Sequence, residues 1–449
     1  MPALAWLRFV VLLSERGLFN GRKGFILATA ASAVGLGNIW RFPTLAAQHG
    51  GGTFLVTYML VVLLFGLILL ITEIAIGRHT RKSPVDAFDS LNHKSRFIGM
   101  LASAVPAIIM PYYCVIGGWV LGFLIGYAGG VDMTNEFAPF ISSNLSIVAF
   151  LAFLFMAMVV IYFGVTKGIE KTSIVLMPLL LAILVILVVY VLFQPGAAEG
   201  VSYYLSFDLS EINGSTLVAA MSQSFFSMSI AMGILITYGS YMDKKESIEG
   251  SALIIAVIDT AVAILAGLLI VPMVYETYAG NIPGGPTLIF SALPNIFVDM
   301  PGGEIVGLLF FVLVFLAALT SAISVAEAVV ATIMDRTGMT RQKAVVVFTI
   351  PVAIVGTIVC LGFGPLSFVS INGYGILDML DYLSNSIMMP IVAFSTCVFI
   401  GHFVGAKMII DEVESSGHPF KLKKIYPFMV KWVAPIAIAA ILVSGMGFF

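Results

Sequence analysis

The sequence predicts an all-α, polytopic membrane protein with eleven transmembrane helices. Of its 449 residues, 60% are apolar and only 10% are charged, whereas soluble domains carry about 25% charged residues. The mean hydropathy is +1.07, and apolar runs recur along the whole chain. Basic and acidic residues are nearly balanced, at 22 and 24, so the composition argues against a nucleic-acid partner and leaves the lipid bilayer as the expected environment.

Eleven apolar runs have the length of about 20 residues that crosses a bilayer. We predict spans at 24–44, 53–77, 98–127, 145–164, 171–193, 215–241, 250–277, 303–334, 344–361, 377–404 and 427–447. Residues 1–15 precede the first span and are expected to form an N-terminal extension.

The basic residues support this count of spans. All of them except Arg41 fall on one side of the membrane when the loops alternate between the two sides. Because Lys and Arg favour cytoplasmic loops, the N-terminus is expected in the cytoplasm. An odd number of spans then places the C-terminus outside the cell or in the periplasm, with the protein in the plasma (inner) membrane.

Two spans contain polar and Gly-rich sequence, at 33–43 and at 223–233. A membrane helix keeps its backbone hydrogen bonds internal, so an interrupted helix must line a cavity that uses the freed groups. The two interruptions lie five spans apart. This spacing predicts two inverted five-helix repeats, about 24–193 and 215–404, with helices 1 and 6 unwound at mid-membrane and helix 11 (427–447) appended.

Ionisable residues inside spans are functional candidates, because burying a charge in lipid is costly. They are Arg41, Glu73, Asp259, Glu327, Asp378 and Asp381. A break in helix 1 would create a helix N-terminus suited to a carboxylate ligand and free carbonyls suited to a cation. Two structural alternatives stay open here: the glycines of helix 1 can form a packing motif, and adjacent hydroxyls such as Thr320 and Ser321 can bond back to their own helix.

The chain resembles the neurotransmitter:sodium symporter family, in particular its bacterial amino-acid transporters with the LeuT-type fold. The resemblance is carried by Gly35-Leu-Gly-Asn-Ile-Trp-Arg-Phe-Pro43, Gly50-Gly-Gly52, Gln223-Ser-Phe-Phe-Ser227 and Leu319-Thr-Ser321. It runs from about Arg16 to the C-terminus and implies a single transporter domain over 16–449.

The resemblance implies two sodium sites. The first would use the Ala33 carbonyl, Asn38, Ser227, Asp259 and the substrate carboxylate. The second would use the carbonyls of Ala31, Val34 and Ala317 together with the hydroxyls of Thr320 and Ser321. Family members that depend on chloride have Ser at the position of Ala263, so we expect no chloride requirement.

The resemblance also implies substrate and gate residues. Those expected around the substrate are Ala33, Leu36, Gly37, Ile109, Tyr113, Phe226, Ser227, Ser229, Met232, Ser321, Ser324 and Val325. The expected outer gate is Arg41 with Asp381, and the expected cytoplasmic gate is Arg16 with Asp335 and Tyr241.

The implied function is sodium-coupled import of hydrophobic L-amino acids by alternating access. A proton-coupled or exchanging carrier of the same fold, or a non-transporting amino-acid sensor, remains an alternative. An enzyme is not expected, since the histidines fall at span ends or in loops without a nucleophile or metal-ligand spacing. The sequence leaves the oligomeric state open.

Overall fold

The computed structural model describes residues 17–278, 282–371 and 373–445, and the protein is helical over almost all of these ranges. Nine helices in these ranges are long and apolar enough to cross a membrane, and a bent pair of helices makes a tenth. The N-terminal extension 1–15 and the predicted gate residue Arg16 lie outside the described residues.

The helices are named here in chain order. They are α1a (Gly21–Ala33), α1b (Gly37–Gln48), α2 (Gly52–Thr80), α3 (His93–Ala128), α4 (Asn144–Tyr162), α5 (Val165–Leu192), α6a (Gly214–Ser227), α6b (Ile234–Ser240), α7 (Ile248–Tyr278), α8 (Gly303–Thr337), α9 (Arg341–Leu361), α10 (Ile376–Val404) and α11 (Tyr426–Ser444). Shorter helices lie between them at Pro84–Leu91, Phe137–Ser142, Ala197–Leu205, Leu288–Asp299 and Ala406–Glu414.

The predicted interruptions of helices 1 and 6 are confirmed. Helix α1a ends at Ala33, Val34 is extended with ψ 100°, and α1b continues at an angle of 52° to α1a. Helix α6a ends at Ser227, and a six-residue non-helical segment precedes Ile234. Within that segment Ser229, Ala231 and Gly233 have φ values of 55°, 65° and 67°, so the chain cannot continue as a right-handed helix there.

The two broken helices lie inside the bundle. Helix α1a packs against α5, α7 and α8, while α6a and α6b both pack along α2. Helices α3 and α8 run beside each other through the centre and complete the wall around the two breaks. The apolar faces turned away from this centre, as on α4 and α9, are largely exposed, as expected for surfaces that meet lipid.

The count of eleven spans stays a prediction. The sixth predicted span, 215–241, is present as α6a and α6b, each too short to cross a bilayer alone. The apolar stretch near residue 290 forms the short helix Leu288–Asp299, which is too short to be a further span. The division at residues 15 and 16 and the repeat boundaries also remain predictions.

Candidate functional site

A small chamber lies where the breaks of helices 1 and 6 face each other. Its volume is about 30 Å³, and its wall comes from α1, α3, α6 and α8. The residues that line it are Ser32, Ala33, Gly35, Leu36, Gly37, Ile109, Tyr113, Phe226, Ser227, Ser229, Met232, Ser321 and Val325. Every predicted substrate residue except Ser324 is therefore at this chamber. Ser324 instead accepts a hydrogen bond from Tyr238 at 2.9 Å and donates to the Thr320 carbonyl.

The glycines of the helix 1 break allow close approach across the chamber. A Cβ on Gly35 would lie 2.5 Å from the Ser321 hydroxyl, and one on Gly37 would lie 2.6 Å from the Phe226 ring. Neither glycine has a positive φ. Both are therefore required by packing against neighbouring side chains, and not by a left-handed backbone.

A buried carboxylate, Asp259 of α7, lies behind the chamber wall and contacts the lining residue Ser227. It accepts hydrogen bonds from Ser227 at 2.8 and 2.9 Å, from Asn38 at 2.8 Å and from the Tyr58 hydroxyl at 3.3 Å. Asp259 is fully buried, and no Lys, Arg or His side chain pairs with it in the described part of the chain. Neutral donors alone leave its charge uncompensated, which favours either a bound cation or a proton.

A second polar cluster joins α8 to the end of α1a. The Ser321 hydroxyl donates across the helix interface to the carbonyls of Ser32 at 3.1 Å and Val34 at 3.3 Å. Thr320 bonds back to its own helix, at the Leu316 and Ala317 carbonyls, which is the structural alternative considered for this pair. The last carbonyls of α1a have no partner further along their helix, so this end offers several oxygens in a small space.

The Tyr113 hydroxyl is directed to the same region. It lies near Ser321 and the backbone of Leu36, yet it has no complete hydrogen bond to any described residue. A buried hydroxyl without a hydrogen bond is uncommon, because the free-energy cost of removing it from water is not offset by a new hydrogen bond. Together with the start of α1b, Tyr113 is positioned to meet a polar group in the chamber.

A wider vestibule of about 290 Å³ lies next to the chamber. Leu36, Tyr113 and Phe226 line both spaces, so they separate the vestibule from the chamber. Arg41 and Asp381 both line the vestibule, but they form no ion pair in this structure. Arg41 donates to Ser222 at 2.8 Å and lies over the Phe226 ring, and Asp381 accepts from Asn385 at 2.6 Å.

The opposite side of the chamber is tightly packed. Tyr241 donates to Glu327 at 2.7 Å, and Arg341 binds the same carboxylate with two nitrogens. Phe19 packs edge-on against Tyr238 and Tyr241, with ring centroids 5.5 and 6.1 Å apart. The predicted gate residue Asp335 accepts a hydrogen bond from the Ser83 amide at 2.8 Å.

Several residues that hold the site were not assigned roles from the sequence. Glu73 of α2 accepts a hydrogen bond from the Ala231 amide at 2.8 Å and so fixes the non-helical segment of helix 6. Gln223 donates to the Gly37 carbonyl at 3.0 Å and ties the two breaks together. Glu73 stands out in the sequence as a carboxylate within an apolar run. Gln223 begins the polar segment 223–233, but nothing in the sequence predicts its bond to Gly37, and Tyr58 carries no signal at all.

Comparison with known proteins identifies the family. The chain matches the Sodium:neurotransmitter symporter family over residues 16–128 and 141–448. The chain belongs to this family. It is 31% identical to YhdH, an uncharacterized sodium-dependent transporter of Bacillus subtilis, over 94% of this chain and 96% of that protein. A sodium-dependent transporter of Haemophilus influenzae is 30% identical over 96% of this chain and 98% of its own length.

A solved structure has the same fold. The crystal structure of MhsT in complex with L-phenylalanine superposes with a TM-score of 0.87 at 35% identity, covering 96% of this chain and 100% of that chain. The predicted all-α LeuT-type fold is thereby confirmed. The family is one of membrane transporters that use sodium, so the chain is a multi-span sodium-coupled transporter.

Proposed function

We propose that this transporter imports hydrophobic L-amino acids together with sodium, by alternating access. The observation that carries the proposal is the chamber between the two helix breaks, which combines a polar end with an apolar wall. The L-phenylalanine bound to MhsT supports an amino acid as substrate. Import into the cell rests on the predicted orientation, with the N-terminus in the cytoplasm of a plasma (inner) membrane protein.

The polar end would hold the amino-acid backbone. The start of α1b supplies free N–H groups and the positive end of a helix dipole, which suit a carboxylate. The unsatisfied Tyr113 hydroxyl is within reach of the same place. The opposite wall, formed by Ile109, Met232 and Val325, is apolar and favours an apolar side chain. At about 30 Å³ the chamber is smaller than such a ligand, so side chains of its wall must move to admit it.

We assign two sodium sites to the two polar clusters. Asp259, Ser227, Asn38 and the Ala33 carbonyl would form the first, beside the substrate carboxylate. In the structure Asn38 directs its Nδ2 at Asp259 and its Oδ1 at the Gly35 amide. To bind a cation the amide must turn over, so sodium loading would release the Gly35 amide within the helix 1 break.

The second site would use Ser321 and Thr320 with the carbonyls of Ala31, Val34 and Ala317. It joins α1a to α8. Because sodium at the first site would contact the substrate carboxylate directly, ion and substrate would raise each other's affinity, which is the thermodynamic requirement for coupling. Each sodium that enters gains about 2.3 kcal/mol per 100 mV of inside-negative potential.

Chloride is not expected to take part. Ala263 has no hydroxyl to bind the anion, while Asp259, one helical turn earlier in α7, already supplies a negative charge next to the first site. Replacing chloride by gluconate should therefore leave uptake unchanged.

The decisive experiment is uptake of labelled L-phenylalanine into proteoliposomes that contain the purified protein. We expect uptake with an inward sodium gradient and little uptake when potassium replaces sodium. Uptake that needs a proton gradient and not sodium would support the proton-coupled alternative. Binding without uptake under either gradient would support a sensor.

Asp259→Asn distinguishes the ion roles within this experiment. The amide keeps an oxygen for sodium but does not take up or release a proton near neutral pH. Retained sodium-driven uptake with the variant would exclude proton transfer through this side chain. A matched control is Thr260→Val, which changes the neighbouring side chain of α7 and leaves the contacts of Asp259 in place.

A further inference from the structure

An apolar groove opens on the outside of the bundle between the start of α3 and the end of α10. We call it the α3–α10 groove, and its volume is about 280 Å³. It is lined mainly by Phe97 and Ile98 of α3 and by Phe394, Val398 and Phe403 of α10, with Lys94 at one end. None of these residues contacts the chamber or the vestibule described above.

The groove is more exposed than a protein interior, and its lining is mostly apolar. Phe97, Phe394 and Phe403 are 54%, 37% and 74% exposed. Ser95, the serine at the α3 end, already donates its hydroxyl to the Phe88 and Asn92 carbonyls. Asn92 and Ser395 are the other polar residues that line the groove, and a hydrocarbon chain can cover the remaining, apolar surface by packing alone.

The charge at the end of the groove is positive. Lys94 is exposed and forms no ion pair within the described ranges. The acidic residues nearby are already paired: Asp89 with His93 at 2.6 Å, and Asp86 with Arg336 at 2.8 Å. The Lys94 ammonium is left to interact with a group from outside the chain.

The neighbouring helix ends have the composition of a membrane interface. On α11, the Lys431 ammonium lies 5.5 Å from the Trp432 ring, and His402 of α10 packs edge-on against that ring at 5.4 Å. Trp432 is 51% exposed. Aromatic residues and basic residues concentrate where lipid headgroups meet the hydrocarbon core. On this basis we expect Lys94 at headgroup level, with the aromatic part of the groove facing the acyl chains.

We propose that the α3–α10 groove binds one phospholipid with an anionic headgroup. Its phosphate group would lie against Lys94, and one acyl chain would lie between Phe97 of α3 and Phe394 and Val398 of α10. Basic pockets between transmembrane helices are a known means of selecting anionic lipids. This inference is independent of the amino-acid substrate, because it concerns a surface outside the transport path.

Native mass spectrometry of the purified full-length protein tests the proposal, with equal amounts of phosphatidylglycerol and phosphatidylcholine added in detergent. We expect the protein to retain one lipid and to prefer phosphatidylglycerol. A basic residue near the membrane surface contributes about 1 kcal/mol to anionic lipid binding, so Lys94→Gln should reduce this preference about fivefold. Lys94→Arg should keep it.

Lys171→Gln is the matched control, because Lys171 is also an exposed lysine near the start of a spanning helix but lies away from the groove. Val398→Trp should fill the groove and remove the retained lipid of both kinds. Equal retention of the two lipids by the unmodified protein would overturn the proposal. So would equal effects of Lys94→Gln and Lys171→Gln, and the Lys94 series decides alone if Val398→Trp does not fold.

Discussion

The two ends of the transport path differ in how they are held. At the vestibule end, Arg41 and Asp381 line an open space of about 290 Å³ without pairing with each other. At the other end, Glu327, Arg341 and Tyr241 form a buried network, with Phe19 packed against Tyr241. The comparison shows that no ion pair between described residues closes the vestibule end in this conformation, whereas the far side is held together by buried charges.

The largest expected effect comes from breaking the buried network. Glu327→Gln leaves the Arg341 guanidinium buried without its carboxylate, and removing one partner of a buried ion pair costs about 3–5 kcal/mol. We expect a clearly lower unfolding temperature in detergent, measured by fluorescence-detected size exclusion after heating.

The double variant Glu327→Met with Arg341→Met removes both charges and should recover most of this stability. If the single variant unfolds at the temperature of the unmodified protein, the network does not hold that end of the path together.

The second-largest effect is expected at the Phe226 ring, which separates the chamber from the vestibule. Gly37→Ala adds a Cβ that would lie 2.6 Å from the Phe226 ring, so the ring must move. Overpacking of this kind costs about 1–3 kcal/mol, and the affinity for L-phenylalanine in sodium should fall by about tenfold or more.

Equilibrium binding of the labelled amino acid measures this change. Adding Phe226→Leu to Gly37→Ala should restore part of the affinity, since the smaller side chain leaves room for the new methyl group. Unchanged affinity in Gly37→Ala would show that the added methyl group does not restrict where the ring lies when the amino acid is bound.

The third prediction distinguishes a role of the vestibule end in transport from a role in substrate binding. Because Arg41 and Asp381 are apart in this conformation, Asp381→Asn should leave equilibrium binding nearly unchanged. If they form the outer gate as proposed, their attraction would stabilise the closed vestibule, so uptake should slow by about tenfold, which corresponds to about 1.4 kcal/mol. Asp378→Asn is the control, since Asp378 also lines the vestibule. Equal loss of binding and uptake in Asp381→Asn would contradict this assignment.

The smallest effect is expected at an exposed ion pair near the start of α3. Arg336 contacts Asp86 at 2.8 Å, but their side chains are 36% and 20% exposed. Exposed pairs contribute less than about 1 kcal/mol. Arg336→Gln should thus lower the unfolding temperature far less than Glu327→Gln. A comparable loss would mean that burial does not distinguish the two pairs.

The sequence predicted the fold and the positions of both helix breaks, because interrupted apolar runs are a local property. It also named Asn38, Ser227 and Asp259, which the structure brings into one hydrogen-bonded cluster. Their role as sodium ligands stays a prediction. Glu73 was recognised as costly in a membrane, but its bond to Ala231 depends on packing between α2 and helix 6. Contacts of this kind, like that of Tyr58 with Asp259, leave no periodic pattern in the sequence from which they could be predicted.

Asp259 has an electrical consequence. Its carboxylate belongs to the protein and not to the substrate, so it remains in the protein after the substrate is released. When ionised, it gives the unloaded carrier a fixed negative charge within the membrane, and sodium at the proposed first site would neutralise this charge. The resting voltage would then act partly on the return of the empty protein, and a current should accompany that return even when no amino acid is present.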